Sequence, residues 1–427
     1  MAEEEIVTDK TNDNNRRKGN QNVNTRELAL DMLLEIIEDG KFSHTVMNHT
    51  LNQYQYLEKQ ERAFISRLCT GTVERYLTLD YRINQVASLP VKKMKPLIRN
   101  LLRLSVYQIM YMDQIPDSAV CNEAVKLAKK RGFAKLSGFV NAVLRSIIRT
   151  KDTFALPDQE KDPVYYLEIA YSVPKWLVQE LLSQYDFEQV EAMLSASLAK
   201  KRTSIRCNLT KLSPEQLKQQ LVEDGVTVEE SAYLDYAFYI EDYDYLEKLN
   251  AFQQGYFTVQ DVSSQLVCQV AGIKKNDFVV DVCAAPGGKA LHAAETAKLV
   301  SARDLTDYKV NLIEENKKRL GLTNVETLCW DATVSDPSII GKADVVIADL
   351  PCSGLGIIGK KSDIKYKLTQ NQQKDLVELQ RKILTTVKDY VKEGGLLIFS
   401  TCTVNKEENT NNRDWFLQNF DFEAESL

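Results

Sequence analysis

Val280-Asp281-Val282-Cys283-Ala284-Ala285-Pro286-Gly287-Gly288-Lys289 decides the fold of the C-terminal half. The apolar run 278–282 breaks at two glycines and gives way to a helical pattern. This reads as a strand, a tight turn and a helix, with a turn that lets the backbone approach a ligand closely. Outward from it the theme repeats. Short apolar runs at 299–302, 325–329, 343–348 and 396–400 alternate with helical segments. Such alternation predicts an α/β, doubly wound Rossmann-like parallel sheet covered on both faces. Ligands of these sheets bind outside the C-terminal strand ends.

The turn is not GxGxxG, so a dinucleotide site is disfavoured. A P-loop would need Gly at 283 and Ser or Thr at 290, where the chain has Cys283 and Ala290. The second run leads to Asp304, 17 residues beyond Gly287. A carboxylate there can accept hydrogen bonds from two ribose hydroxyls. Asp331 follows the third run and can sit beside an adenine amino group. No set of phosphate-binding lysines or arginines accompanies them. A nucleoside-like cofactor without phosphates, its tail cupped by the turn, fits S-adenosyl-L-methionine. The plainer reading is that Asp304 and Asp331 only cap helices.

The fourth run ends at Asp349-Leu350-Pro351-Cys352-Ser353-Gly354 and the fifth at Thr401-Cys402-Thr403. Cysteines at two such ends suggest a particular chemistry. C5 of cytosine is a poor nucleophile. A thiolate added to C6 makes the ring an enamine, whose C5 can take a methyl group from a sulfonium. The C5 proton must then leave and the thiol be expelled. A thiolate needs a positive field, which Lys289 and helix N-termini can supply. Asp349 can accept from cytosine N4 and, protonated or through a relay, meet N3. With no histidine near, Cys352 or a water it orders is the candidate for release; the general base stays open. The target base must leave any stack. The run Gly359-Lys360-Lys361-Ser362-Asp363-Ile364-Lys365-Tyr366-Lys367 offers four lysines and an aromatic for gripping RNA phosphates. Cys69, Cys121, Cys207, Cys268 and Cys329 read as small buried hydrophobes.

Composition bounds the rest. The 427 residues suggest two to four domains. No run approaches the ~18–20 apolar residues of a membrane span. The start has no apolar core and reads as a disordered polar arm, 1–23, not a secretory signal. Eight cysteines without CxxC spacing point to free thiols in a reducing cytoplasm. Three histidines, His44, His49 and His292, leave little for a metal site, and none is expected. The net charge of -6 argues against nucleic acid, yet residues 82–149 carry 13 Lys/Arg against 3 Asp/Glu, a local +10. Such a block attracts phosphates; its plainer reading is a helical domain with solvated lysines. Apolar residues recur at helical spacing from about 25 to 149, giving five to seven helices and little strand. Residues 150–174 hold a linker and the start of a new unit. From there to 254 the pattern is mixed, with helices at 176–182, 190–198 and 214–222 and strands at 204–208 and 237–240. It fits a small α+β module of the ferredoxin-like or RNA-recognition type.

VVDVCAAPGGK, ADLPCSGLG and FSTCTVNKEEN together resemble three motifs of the RNA 5-methylcytosine methyltransferases of the NOL/NOP2/Sun group. Gly255-Tyr-Phe-Thr-Val-Gln-Asp-Val-Ser-Ser264 is similar to that group's element before the cofactor strand. The resemblance implies Cys402 as the nucleophile on C6 and Cys352 as the cysteine of product release. It also implies cofactor contacts from Cys283, Ala284, Ala285, Pro286, Gly287, Gly288, Lys289, Asp304, Asp331 and Asp349. Residues 102–108, 122–126 and 138–145 resemble NusB, an all-α RNA-binding fold. The combination resembles the RsmB (Sun) family, bacterial 16S ribosomal RNA cytosine-C5 methyltransferases, over nearly all the chain beyond residue 24. Two departures are Leu350, in place of the usual alanine, and Ser362, where many members have proline.

The expected organisation is an NusB-like domain over 24–150, an α+β module over 165–254 and a methyltransferase domain over 255–427. The expected partner is 16S ribosomal RNA, alone or in a pre-30S particle, bound by a cytoplasmic monomer with no membrane attachment. Transfer RNA as substrate, a non-catalytic NusB-type RNA-binding factor, and a protein or small-molecule methyltransferase are the competing readings. The last gives no reason for cysteines at two strand ends.

Overall fold

The computed structural model describes residues 23–426. The arm expected at 1–23 lies, but for Val23, outside them. The chain divides between Pro157 and Asp158 into two compact units.

The described part of the first unit holds seven α-helices and no strand: Thr25–Leu33, Ser43–Gln53, Lys59–Glu74, Tyr76–Val86, Pro96–Tyr111, Asp117–Lys130 and Ser137–Thr150. Pro96 opens the most buried of them at a position where its missing N–H is no loss. Leu101, Leu102, Leu104 and Val106 are all buried, and so is Arg103. A buried guanidinium needs a partner; Asp80 takes it with both oxygens, at 2.7 and 2.8 Å. The basic block is therefore smaller than its count implied. Arg82 and Arg103 are buried, and Arg99 is paired with Glu38. Lys92, Lys93, Lys95, Lys129, Lys135, Arg145 and Arg149 remain exposed, and Lys126 and Lys130 are exposed but paired with Glu123 and Glu27.

The second unit contains two sheets. The smaller is antiparallel, with β1 (Thr203–Cys207), β2 (Thr227–Glu230), β3 (Ala237–Glu241) and β4 (Phe257–Val259) in the order β2-β3-β1-β4. Ile205, Cys207, Phe238, Ile240 and Phe257 pack against Leu217 and Leu221 of the helix Pro214–Glu223. Only β1 and β3 are visible in the sequence pattern. β2 reads Thr-Val-Glu-Glu with a single apolar residue, and β4 has three residues.

The larger sheet is parallel throughout: β5 (Phe278–Asp281), β6 (Leu299–Asp304), β7 (Val325–Cys329), β8 (Ala343–Asp349) and β9 (Val391–Ser400), ordered β7-β6-β5-β8-β9. Successive side chains of a strand point to opposite faces. Val279, Val345 and Ile347 accordingly join one core with Leu291, Ile313 and Ala302. Val280, Val346 and Ala348 join the other with Ile383, Leu384 and Tyr390. Leu350 belongs to this second core and is buried there. The chain first builds β5, β6 and β7 outward, then crosses back to place β8 on the far side of β5. A crevice opens at such a reversal, outside the carboxyl ends of β5 and β8.

Candidate active site

Four of the expected residues meet at that crevice. The Lys289 ammonium lies 2.5 Å from Asp349 Oδ2 and donates to Ser264 Oγ at 2.8 Å. The other oxygen of Asp349 accepts from Ser400 Oγ at 2.7 Å. Cys352 Sγ and Cys402 Sγ lie 3.0 Å apart, and the Cys402 N–H points at Cys352 Sγ at 3.2 Å. The spacing follows from the sheet, because β8 and β9 are neighbours with Asp349 opposite Ser400. Cys402 is exposed and Cys352 half-buried. The hydrogen bond shared with Cys352, with help from Lys289 and Lys361, holds the Cys402 thiol below its ordinary value. The same bond, and burial, push the Cys352 thiol up. The two thiols are thus shifted in opposite directions, with Cys402 the more acidic of the pair.

The glycine turn is held by Asp304, whose Oδ2 accepts from the Ala285 N–H at 2.9 Å. Its Oδ1 accepts from the Leu305 N–H and from Lys309 Nζ, at 2.8 and 2.9 Å. Gly287 sits at φ +106, and a Cβ there would come within 2.8 Å of Leu291. Only glycine fits the position without strain. Pro286 O is bonded by Asn316. Asp331 is exposed, and its Oδ1 accepts from the Thr333 N–H and hydroxyl at 2.8 Å, which holds its carboxyl below the usual carboxylate value. Asp331 therefore closes a short turn and caps no helix, and its second oxygen has no partner among the described residues. Cys283 is inert as a thiol, pushed up to about 12 by burial.

Sequence reasoning missed Asp281, at the end of β5. It is buried, its Oδ1 accepts from the Cys283 N–H at 3.3 Å, and its Oδ2 has no partner. Burial and the charge of Asp349 raise it to about 7. Missed too was the support beneath the cysteines. Glu408 is fully buried. It accepts from the Ser353 N–H at 2.8 Å, the Ser353 hydroxyl, Gln380 Nε2 at 3.0 Å and Asn405 Nδ2 at 3.3 Å. Gln380 also donates to Pro351 O at 2.9 Å, and the Ser353 and Thr403 hydroxyls are bonded at 2.7 Å. The two cysteine loops thus share one carboxylate as their floor. Glu408 lay in the quoted FSTCTVNKEEN stretch, but Gln380, inside a long helix, gave no signal.

The lysine run is only partly a phosphate grip. Lys365 is almost wholly buried and donates to Tyr171 O at 3.3 Å, and Lys367 pairs with Asp363 at 2.8 Å. Lys360 pairs with Asp261. Lys361 is the exposed member with no partner among the described residues. The short helix Ile364–Lys367 turns Lys365 inward, while Lys360 and Lys361 lie in the turn before it.

For S-adenosylmethionine the donor set fits. Carboxylates stand at or just beyond the ends of β5, β6, β7 and β8, a glycine leaves room at the turn, and a buried carboxylate oxygen of Asp281 awaits a donor.

Comparison with known proteins agrees with this geometry. Residues 269–426 match the family described as 16S rRNA methyltransferase RsmB/F, residues 23–149 the NusB family, and residues 173–244 a ferredoxin-like domain of RsmF/B-like methyltransferases. A probable ribosomal RNA small subunit methyltransferase B of Bacillus subtilis (strain 168) is 35% identical over 94% of this chain and 90% of its own. Another so described, from Synechocystis sp., is 31% identical over 93% and 89%. A solved structure, that of PH0851, superposes with a TM-score of 0.77 at 25% identity, covering 94% of this chain and 90% of that one. The chain is a methyltransferase with S-adenosylmethionine as its methyl donor, and it belongs to the ribosomal RNA small subunit methyltransferase B family, within the 16S rRNA methyltransferase RsmB/F group.

Proposed function

We propose that this protein methylates C5 of a cytosine in 16S ribosomal RNA through a covalent bond between Cys402 and C6 of the base. The observation that carries the reading is the pair of thiols, 3.0 Å apart, beside the Lys289–Asp349 pair. Methylation at a base nitrogen or a ribose oxygen would use neither thiol.

The Cys402 thiolate adds to C6, forming the S–C6 bond and pushing the C5–C6 π pair toward C5 and the ring. Asp349 accepts from the exocyclic N4 amino group and, through Lys289, balances charge gathering at N3. S-adenosylmethionine, when bound, supplies the methyl group that C5 takes up. Cys283, Ala284, Ala285, Pro286, Gly287, Gly288 and Lys289 would line its tail, Asp304 its ribose, and Asp331 its adenine, with Asp349 at the reacting end. The C5 proton then passes to a water ordered by Cys352. Its electron pair re-forms the C5–C6 double bond, and the S–C6 pair returns to Cys402. The Cys352 S–H donates to the sulfur that leaves, which favours release.

The substrate reading rests on the family and on the exposed lysines and arginines of the helical unit, with 16S RNA free or in a pre-30S particle as target. We place the protein in the cytoplasm as a monomer, with domains at 24–150, 165–254 and 255–427. The test is incubation of the Cys352→Ala variant with small-subunit ribosomal RNA, transfer RNA and S-adenosylmethionine, read on a denaturing gel. A protein–RNA band with ribosomal RNA, absent when Cys402 is also changed, is expected. A band only with transfer RNA would move the substrate, and no adduct with any RNA would overturn the covalent route.

A further inference from the structure

Behind the Cys402 loop lies a cleft of about 310 Å³. Its floor is aliphatic, with Leu177, Leu194 and Ile358, and its rim is polar, with Ser263, Asp261 and Lys360. A cleft of that size holds one heterocycle, at the small end of ligand pockets. It shares its walls with the reaction centre. The Gly356 N–H donates to Cys402 O at 3.0 Å, and Val404, two residues past Cys402, lines the cleft. On the other side Ser263 lines it, while the next residue, Ser264, holds Lys289.

The rim chemistry matches a nucleotide. Asp261 Oδ1 takes both Lys360 and Ser204, and its Oδ2 has no partner among the described residues, which leaves an acceptor for a base edge. Lys360 stands at the mouth, where a phosphate would pass, and the exposed Lys361 follows it. Apolar walls suit the flat face of a base taken out of its stack.

We propose that this cleft receives a second extruded base of the substrate RNA, the immediate neighbour of the methylated cytosine. The inference rests on the function proposed above. Two adjacent bases are drawn out together, one to each side of the Gly356–Cys402 wall, and the second sets the register of the first.

The experiment maps the methylated cytosine and then scans its neighbours. Splint-ligated small-subunit RNA carries single abasic residues on either side of the target, and KM and kcat are measured with the wild-type protein. An abasic residue at one immediate neighbour is expected to raise KM about tenfold, the loss of one base–wall contact. Ala196→Trp, a substitution at an exposed lining residue, narrows the cleft. It is expected to raise KM equally on intact RNA and to add nothing on the abasic RNA. Iodouridine at the sensitive position is expected to photocrosslink the wild type at Met193 or Ile357, which also line the cleft. Unchanged KM at both neighbours, a Trp effect that adds to the abasic one, or a crosslink outside the cleft overturns the assignment. No methyl incorporation by the wild type overturns the proposed function and the cleft together. Incorporation without dependence on either neighbour overturns the cleft alone.

Discussion

Cys352 and Cys402, fifty positions apart in the chain, share a hydrogen bond between sulfur atoms 3.0 Å apart that shifts the two thiols in opposite directions. Cys402→Ala is expected to remove all methyl transfer while leaving S-adenosylmethionine affinity within about twofold; normal turnover would end its assignment as nucleophile. The pH dependence of single-turnover adduct formation reads the pair directly. The wild-type acid limb should fall below the ordinary thiol value of 9.0. In Cys352→Ala, which loses the shared hydrogen bond, the limb should move upward. An unmoved limb would mean that Cys352 does not tune its neighbour.

Asp349 is shared between Ser400 and Lys289. Asp349→Asn keeps the shape but removes the charge that Lys289 faces. Its kcat is expected to fall by roughly 10²–10⁴, the usual worth of a positioned acid or base. Steady-state kinetics with saturating RNA would check this, and a loss under threefold would leave Asp349 with no part in the chemistry.

Asp304 fixes the glycine turn through the Ala285 N–H. Asp304→Ala is expected to weaken S-adenosylmethionine binding at least ~10-fold by calorimetry, because a hydrogen bond to a charged group is worth about 1.5–3 kcal/mol. RNA affinity in the absence of cofactor should not change.

Asp281 makes stability depend on pH. Its carboxyl is raised from 3.8 to about 7 in the folded protein, so the folded state holds the proton more tightly than the unfolded chain. The stabilising bias is present below about pH 4 and lost as pH rises toward 7, costing at most ~4 kcal/mol at ~1.4 kcal/mol per unit. Urea midpoints of the cofactor-free protein should therefore fall between pH 4 and 7 more steeply for the wild type than for Asp281→Asn. Parallel curves would show that the group titrates at its ordinary value.

Glu408→Leu would strand the Ser353 N–H and the Gln380 amide. A buried donor left without its partner costs about 1–3 kcal/mol, and the midpoint of chemical unfolding should drop accordingly. A loss below ~1 kcal/mol would mean that the two loops are held by other contacts.

The strands of the large sheet and the turn between β5 and its helix were legible because buried parallel strands leave near-continuous apolar runs, and 278–282 and 343–348 are such runs. β2 and β4 were not, since pairing there is made by backbone groups that carry no side-chain pattern. The cysteines and aspartates at the crevice stood out because they follow those runs directly. Asp281 did not, because it lies inside its run and reads as part of the strand. Lys365 misled because a lysine's burial depends on which way a short helix turns, here toward Tyr171, and four residues are too few to show a face.

Between Ala343 opposite Val391 and Val345 opposite Leu396, the chain of β9 carries extra residues, with Gly394 at φ +71. From Leu396 to Ser400 it then marches in step with β8. The gap between the two sulfurs is therefore measured by the rungs of the sheet, and the length of chain spent in reaching them is immaterial. Residues added beside Gly394 would be absorbed as slack. One residue removed between Leu396 and Ser400 would slide Cys402 by ~3.3 Å along the strand and turn it to the opposite face, so that the two thiols no longer meet.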